Sequence, residues 1–288
     1  MIPGQFEYHR PRSLAEATTL LGDLKADARV LAGGQSLIPM MKLRLAAPGH
    51  LIDLASVGEL KGIQRGGTSI VIGAMTTQAD IIGSKDLADS VPLLREAALQ
   101  VADPQVRYLG TIGGNCANGD PGNDMPAIMM VLDASYRLVG RGGSRTVKAR
   151  DFYFGTYATE LKDGEILASI DVPLPPAGHG HAYEKLKRKI GDYATAAAAV
   201  MLTVRGGTVQ TCSIALSNLS DRALLASAAN AAIVGKPLDK AAIAAAVAAA
   251  RGIMYPASDT RGTPEYRIHV GGIMVERALK TAMARAKG

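Results

Sequence analysis

Two short segments carry residue types that could hold a phosphorylated ligand. The first is Leu31-Ala32-Gly33-Gly34-Gln35-Ser36-Leu37, and the second is Gly110-Thr111-Ile112-Gly113-Gly114-Asn115. Each sets paired glycines behind an apolar residue and continues into small polar side chains. A glycine backbone can approach a ligand closely and take positive φ. Successive N–H groups exposed in this way can point at a diphosphate as an anion nest. Ser36, Thr111 and Asn115 add hydroxyl and amide groups. Two such loops could grip a dinucleotide from both sides. A Gly-Gly pair is also the ordinary material of tight turns, and spacing alone leaves both readings open.

Competing nucleotide signatures are missing. The sequence has no G-x-x-x-x-G-K-[ST] phosphate loop. No complete G-x-G-x-x-G opens a helix after a strand, and the second segment runs into Cys116-Ala117-Asn118-Gly119-Asp120-Pro121, which reads as a loop. A Rossmann fold therefore loses its main support. The two cysteines, Cys116 and Cys212, are far apart and belong to no His/Cys cluster, so the chain offers no ligand set for zinc or an iron–sulfur centre. Cys116 reads as a small buried residue. His9, His50, His179, His181 and His269 all lie outside the glycine segments.

The 288 residues suffice for two domains of about 100–200 residues each. Their balance of apolar and charged residues is that of a globular protein, with an aliphatic core expected from three Phe and no Trp. The net charge of +6 raises the question of nucleic acid. Nucleic-acid surfaces interleave basic residues with aromatics that stack on bases. Here the only dense basic run is Lys185-Leu186-Lys187-Arg188-Lys189, so no nucleic-acid partner is expected. The N-terminal residues show no secretory pattern. The apolar stretches near Ala194–Val204 and Ala241–Ala250 fall short of the about 20 residues that span a bilayer. A cytoplasmic protein is expected.

The elements that must position the glycine segments can be read coarsely. Ser13-Leu14-Ala15-Glu16 has capping-box spacing, opening a helix with Leu14, Ala17 and Leu21 on one face. Arg29–Ala32 reads as a strand running into Gly33-Gly34, and His50–Leu54 and Ser69–Gly73 as further strands. Thr76 or Thr77 caps a helix through Ile82, and Val91–Ala102 reads as another. Three prolines within Pro173-Leu174-Pro175-Pro176 favour extended backbone and mark the best domain boundary, between Asp171 and Gly178. Beyond it, Ala194–Val204 and Thr208–Leu216 read as antiparallel strands. Arg222–Val234 and Lys240–Arg251 follow as Ala-rich helices, with Gly235 and Gly252 as stops. Val275, Ala278, Leu279, Ala282 and Met283 make the stripe of a last helix.

Ala-Gly-Gly-Gln-Ser at 32–36 and Thr-Ile-Gly-Gly-Asn at 111–115 resemble the paired flavin loops of the FAD-binding subunits of molybdenum hydroxylases. Gln105-Val106-Arg107-Tyr108-Leu109-Gly110 and Glu184-Lys185-Leu186-Lys187-Arg188-Lys189-Ile190-Gly191-Asp192-Tyr193-Ala194 fit the same family, and the resemblance covers essentially the whole chain. Within it, the run from Gly178-His179-Gly180-His181 to Tyr193 is most similar to the medium subunits of aerobic carbon monoxide dehydrogenases.

The resemblance implies an α+β protein. Residues 1–177 would form a vanillyl-alcohol-oxidase-like, PCMH-type FAD-binding domain of two α/β subdomains. Residues 178–288 would form a C-terminal domain with a small antiparallel sheet and helices. It implies extended, non-covalent FAD with its diphosphate at Leu31–Leu37 and at Thr111, Ile112, Gly113, Gly114 and Asn115; no residue stands out as a covalent attachment point. Asp124 matches an acidic position near the cofactor, Leu167 an apolar wall, Lys185 a further contact, and Tyr193 a side chain that covers the flavin ring. Each has a plainer reading: Asp124 as a helix cap, Leu167 and Tyr193 as core, Gln105 and Arg107 as loop-positioning residues.

The function implied is electron transfer. The molybdenum cofactor would sit on a large partner subunit and iron–sulfur clusters on a small one, the whole a dimer of heterotrimers. Electrons from CO oxidation would leave through FAD to a quinone-type acceptor, with the complex peripheral at the inner face of the cell membrane. The alternatives are the flavin subunit of another molybdenum hydroxylase, acting on an N-heterocycle or aldehyde, a non-catalytic assembly subunit, and a stand-alone flavin oxidase.

Overall fold

The computed structural model describes residues 2–287. Its first layer is a parallel sheet of β1 (Glu7–His9), β2 (Ala28–Leu31) and β3 (His50–Asp53), in the order β1-β3-β2. The helix Leu14–Leu24 turns Ala17, Thr18 and Leu21 into the protein. Its Ser13 cap accepts the Glu16 N–H at 3.2 Å as the spacing predicts, but the Glu16 carboxylate accepts from the Arg12 N–H, one residue earlier than in a reciprocal capping box. Ala17, Leu21 and Ile52 pack with Leu54, Val57 and Leu60 into a small apolar cluster.

The second layer is a five-stranded antiparallel sheet, ordered 63–65, 69–73, 166–173, 135–140, 143–148. In Ser69–Gly73, Ile70 and Ile72 point inward and Val71 outward, the period of two expected of a half-buried strand. The helix Met125–Val131, buried at every position, packs on the strands 196–205 and 208–217 of a third sheet. A helix apolar on all sides belongs at the centre of a protein, and this one joins the largest core cluster. The strand Ile166–Pro173 is central in the sheet and ends where Pro173 pairs with Ser69. Proline has no N–H to give a ladder, so the strand stops there. The chain then runs extended into a turn at Gly178, whose φ is +75°.

The third layer is an antiparallel sheet of 180–186, 196–205, 208–217 and 224–225, in chain order. Ala196–Val200 is buried throughout because both faces of this sheet are covered. Ala197 and Ala199 face the main core, while Ala196, Ala198 and Val200 face a separate cluster with the helices Ser227–Ile233, Lys240–Arg251 and Pro264–Arg285. Alanine on both faces lets both layers approach closely. Along the last helix, Val275, Ala278, Leu279 and Ala282 form the expected buried stripe, and Met283 lies half-buried at its rim.

Several expected elements differ. The helix over Arg222–Val234 is shortened to Ser227–Ile233, because Leu224 and Leu225 instead pair with Leu216 and Ala215 at the sheet edge. Tertiary pairing overrides helix propensity there. Val91–Ala102 contains a helix only over Pro92–Ala98, since Pro92 starts a new first turn after the helix Lys85–Ser90. Gly235 stops its helix with φ +80°, whereas Gly252 keeps right-handed backbone at φ −63°.

Cys116 is fully buried, with the hydroxyls of Tyr136 and Tyr153 nearby, and burial pushes its thiol up to about 12. Thiolate is the reactive form. Titration of the native protein with an aromatic disulfide reagent at pH 8 should therefore leave Cys116 unmodified, and unfolding in guanidinium should release it to react.

Candidate functional site

β2 delivers Leu31 and Ala32 to the edge of the first sheet, where the chain turns through Gly33 and Gly34. Gly34 takes φ +73°, a conformation for which glycine is the suited residue. Gly33 has a different reason. A Cβ there would land on the carbonyl oxygen of Leu109 and stand 2.8 Å from the Gly110 Cα. The first glycine segment is thus packed backbone to backbone against the start of the second.

The second segment is helical, not the loop its sequence suggests. Thr111 caps a helix over Ile112–Ala117, its hydroxyl accepting the Gly114 N–H at 3.0 Å. Gly113 donates to the Ala74 carbonyl at 2.9 Å, and a Cβ on it would stand 2.7 Å from the Ala74 Cα. Glycine here allows the short helix to press on the end of strand Ser69–Gly73. Gln105 and Arg107 lie on another short helix, Pro104–Leu109, whose Asp103 cap holds the Val106 N–H at 2.9 Å.

Between the two segments opens a cleft of about 700 Å³, a size that ligand sites commonly have. Residues 32–37 form one wall, and Gly110, Thr111, Gly114 and Asn115 another. The backbone N–H groups of Gly33, Gly34, Gln35 and Ser36 donate to no acceptor among the described residues. The third wall, residues 161–165, was invisible in the sequence. Arg145 fixes it, with its guanidinium 2.7 Å from Glu165 and 3.1 Å from Glu160. That contact holds the Glu165 carboxyl below its ordinary range.

Two further residues escaped sequence reasoning. Gln78 lines the cleft at 1 % exposure, and among the described residues neither its amide nitrogen nor its oxygen has a hydrogen-bond partner. Asn118 also lines the cleft with its amide nitrogen unpartnered. An unpaired buried polar group costs about 1–3 kcal/mol. No local pattern marks Gln78; its burial follows from the pairing of Thr77 with Thr111 and from its own N–H, which donates to the Gly110 carbonyl at 2.9 Å.

The remaining expected residues are arranged as follows. Leu31 leads into the cleft from β2, while Ile112 and Gly113 lie beneath its surface. Leu167 is core, 4 % exposed in the central strand. Asp124 and Lys185 form a buried ion pair at 2.9 Å, and the Tyr183 hydroxyl also donates to Asp124. Burial, then the Asp124 charge, push the Tyr183 phenol well above its ordinary value, so it remains a donor. This pair connects to the cleft through Asn115, whose side-chain oxygen accepts the Met125 N–H at 3.2 Å and whose carbonyl accepts from Asn123 at 2.8 Å. Asp124 precedes the helix Met125–Val131 but makes no side-chain capping bond. Tyr193 is 41 % exposed and so is no core residue; its ring lies beside Gly122 and 5.6 Å from the Arg261 guanidinium.

Residues 4–175 match the family of the FAD binding domain in molybdopterin dehydrogenase, and residues 181–282 match the CO dehydrogenase flavoprotein C-terminal domain. The chain belongs to the FAD-binding subunits of the molybdopterin dehydrogenases. It is 58 % identical over 287 residues to the carbon monoxide dehydrogenase medium chain of Afipia carboxidovorans, covering all of both chains. It is 50 % identical over 285 residues to the corresponding chain of Hydrogenophaga pseudoflava, covering 99 % of each. A solved structure of Cu,Mo-CO dehydrogenase superposes with a TM-score of 0.98 at 58 % identity, over 99 % of this chain and 100 % of that one. The cleft of this flavoprotein fits its cofactor: free N–H groups suit a diphosphate, and the orphaned Gln78 and Asn118 amides suit a ligand rich in polar atoms.

Two substitutions should separate packing from ligand contact. Gly33→Ala should lower both the melting temperature of the FAD-free chain and its flavin content, because its Cβ strikes the Leu109 carbonyl rather than the ligand. Gln78→Leu should do the reverse to the FAD-free chain, raising its stability by about 1–3 kcal/mol as the orphaned amide is removed. The same change should weaken FAD affinity at least tenfold. Denaturant melts of FAD-free chain and flavin titration of each variant make the check.

Proposed function

We propose that this chain is the electron-transferring flavoprotein subunit of an aerobic carbon monoxide dehydrogenase. A large partner subunit with the molybdenum cofactor oxidises CO with water to CO2, two protons and two electrons. A small iron–sulfur partner relays the electrons to this chain, and a quinone-type acceptor takes them onward. Three subunits form a unit, and two units form the complex. Contact with the acceptor is peripheral in this reading; no helix among the described residues is long and apolar enough to cross a membrane.

The observation that carries this reading is the end-to-end correspondence with two carbon monoxide dehydrogenase medium chains. In it, the backbone N–H groups of residues 33–36 would hold the diphosphate, with the small polar side chains of Ser36, Thr111 and Asn115 beside them, while the N–H groups of Ile112, Gly113, Gly114 and Asn115 stay on Thr76, Ala74 and Thr111. Gln78 and Asn118 satisfy their amides on the cofactor. The Asp124–Lys185 pair, 6 % and 1 % exposed, sets a fixed dipole beyond Asn115. Tyr193 covers the ring and excludes water from it. When bound, FAD supplies the two-electron redox chemistry, and the protein supplies binding, orientation and tuning. Lys187, beside Lys185, has its ammonium lowered by burial and by that neighbouring charge.

Acid precipitation of the purified complex should release the flavin into a yellow supernatant; colour retained in the pellet would show a covalent bond. The isolated, flavin-loaded chain should not reduce an artificial acceptor with CO, since its two cysteines lie apart and no iron–sulfur ligand set exists in it. Turnover of CO by this chain alone would overturn the electron-transfer assignment.

A further inference from the structure

Outside the cleft lining, Glu7, His9 and His50 bring one ligand atom each to within 4.8 Å of one another. The parallel pairing of β1 with β3 sets Glu7 opposite His50 and His9 opposite Ile52. Glu7 and His9, two residues apart on one strand, therefore share a face. His9 Nε2 stands 3.0 Å from His50 Nδ1, and a Glu7 carboxylate oxygen stands 3.5 Å from the same Nδ1. Tetrahedral zinc with bonds of about 2.0–2.1 Å spaces its ligand atoms by roughly 3.3 Å. The two separations from His50 Nδ1 bracket that spacing, and the Glu7–His9 separation lies within 4.8 Å.

The other side of His50 decides which nitrogen faces the cluster. Its Nε2 lies 3.6 Å from an Asp27 carboxylate oxygen. Asp27 is itself anchored, its other oxygen accepting the Gly49 N–H at 3.0 Å. A Cβ on Gly49 would stand 2.7 Å from an Asp27 carboxylate oxygen, so glycine there leaves room for that carboxylate. His50 Nε2 thus faces Asp27, and Nδ1 is the nitrogen that faces His9 and Glu7. A carboxylate behind a histidine in this way is the outer arrangement that orients metal-bound imidazoles.

We propose that Glu7, His9 and His50 form a binding site for a divalent ion of the zinc class. Two imidazoles among three ligands select zinc over magnesium or calcium, which prefer oxygen. Three protein ligands leave a fourth position for water. The ion ties β1, an edge strand of only three residues, to β3. The site is separate from the flavin cleft, whose lining contains none of the three.

The test uses the full-length protein, stripped with a chelator and equilibrated with zinc chloride, with bound zinc measured by mass spectrometry of the metal. One zinc per chain is expected, together with a rise in melting temperature. His9→Ala and His50→Ala should each weaken binding at least 100-fold and abolish the rise. Asp27→Asn, which leaves all three ligands in place, should weaken binding by about 10–100-fold. His179→Ala removes a histidine of the other close pair, with His181, and should retain full zinc. Substoichiometric zinc would leave a proton-sharing histidine pair only and sink the proposal. So would zinc retained in both ligand variants, lost in His179→Ala, or held with unchanged affinity in Asp27→Asn.

Discussion

The close approach of Gly33 to the Leu109 carbonyl and the Gly110 backbone is the contact on which the rest of the site depends. No side chain separates the two segments there, so the relative position of their N–H groups is set by backbone van der Waals contact. Such contacts leave little room for adjustment, since interiors are packed to crystal density. The second segment is in turn hung on the end of the strand Ser69–Gly73. The Ile112 N–H donates to Thr76 and the Gly113 N–H to Ala74, each at 2.9 Å. The Gly33 contact and these bonds tie the first glycine segment to the end of the antiparallel sheet, and the cleft opens between the two segments.

The cleft shows what a rigid junction of this kind costs the free protein. Among the described residues, Gln78 is buried with both amide atoms unpaired, and the N–H groups of residues 33–36 find no acceptor. Polar groups held without partners are a standing penalty in the absence of ligand. They need no reorganisation when a ligand arrives, so the ordering cost has been met in folding rather than in binding. Stability and affinity therefore pull in opposite directions at Gln78, and together at Gly33.

The alanine-rich third sheet has a structural part in the site. Small residues on both faces bring it close to the central helix Met125–Val131, and that approach puts Lys185 of one layer 2.9 Å from Asp124 of another. A buried ion pair is weak evidence for stability but fixes geometry, because breaking it strands a charge. The chain thus reaches a precise electrostatic feature from a sequence whose alanines carry no chemistry.

The two glycine segments, their polar endings and the family they resemble were legible because each is a local run of residues. The strand before Gly33, the capped helix at Ser13 and the stripe Val275–Ala282 were legible for the same reason: caps and periodicity act within a few residues. The helix at Ile112–Ala117 was not, since two glycines disfavour it and only the Thr111 cap and the close packing on Ala74 support it. Gln78, the 161–165 wall and its Arg145 clamp, and the Glu7–His9–His50 cluster were likewise out of reach. Their partners lie many residues away, and strand register, which brings them together, is decided by how whole layers bury their apolar faces. By itself the sequence singled out the two glycine segments as candidates to meet a dinucleotide. Only the tertiary structure decided that Gly33 is glycine for the sake of the opposing loop, because the nearest atom to its missing Cβ belongs to Leu109.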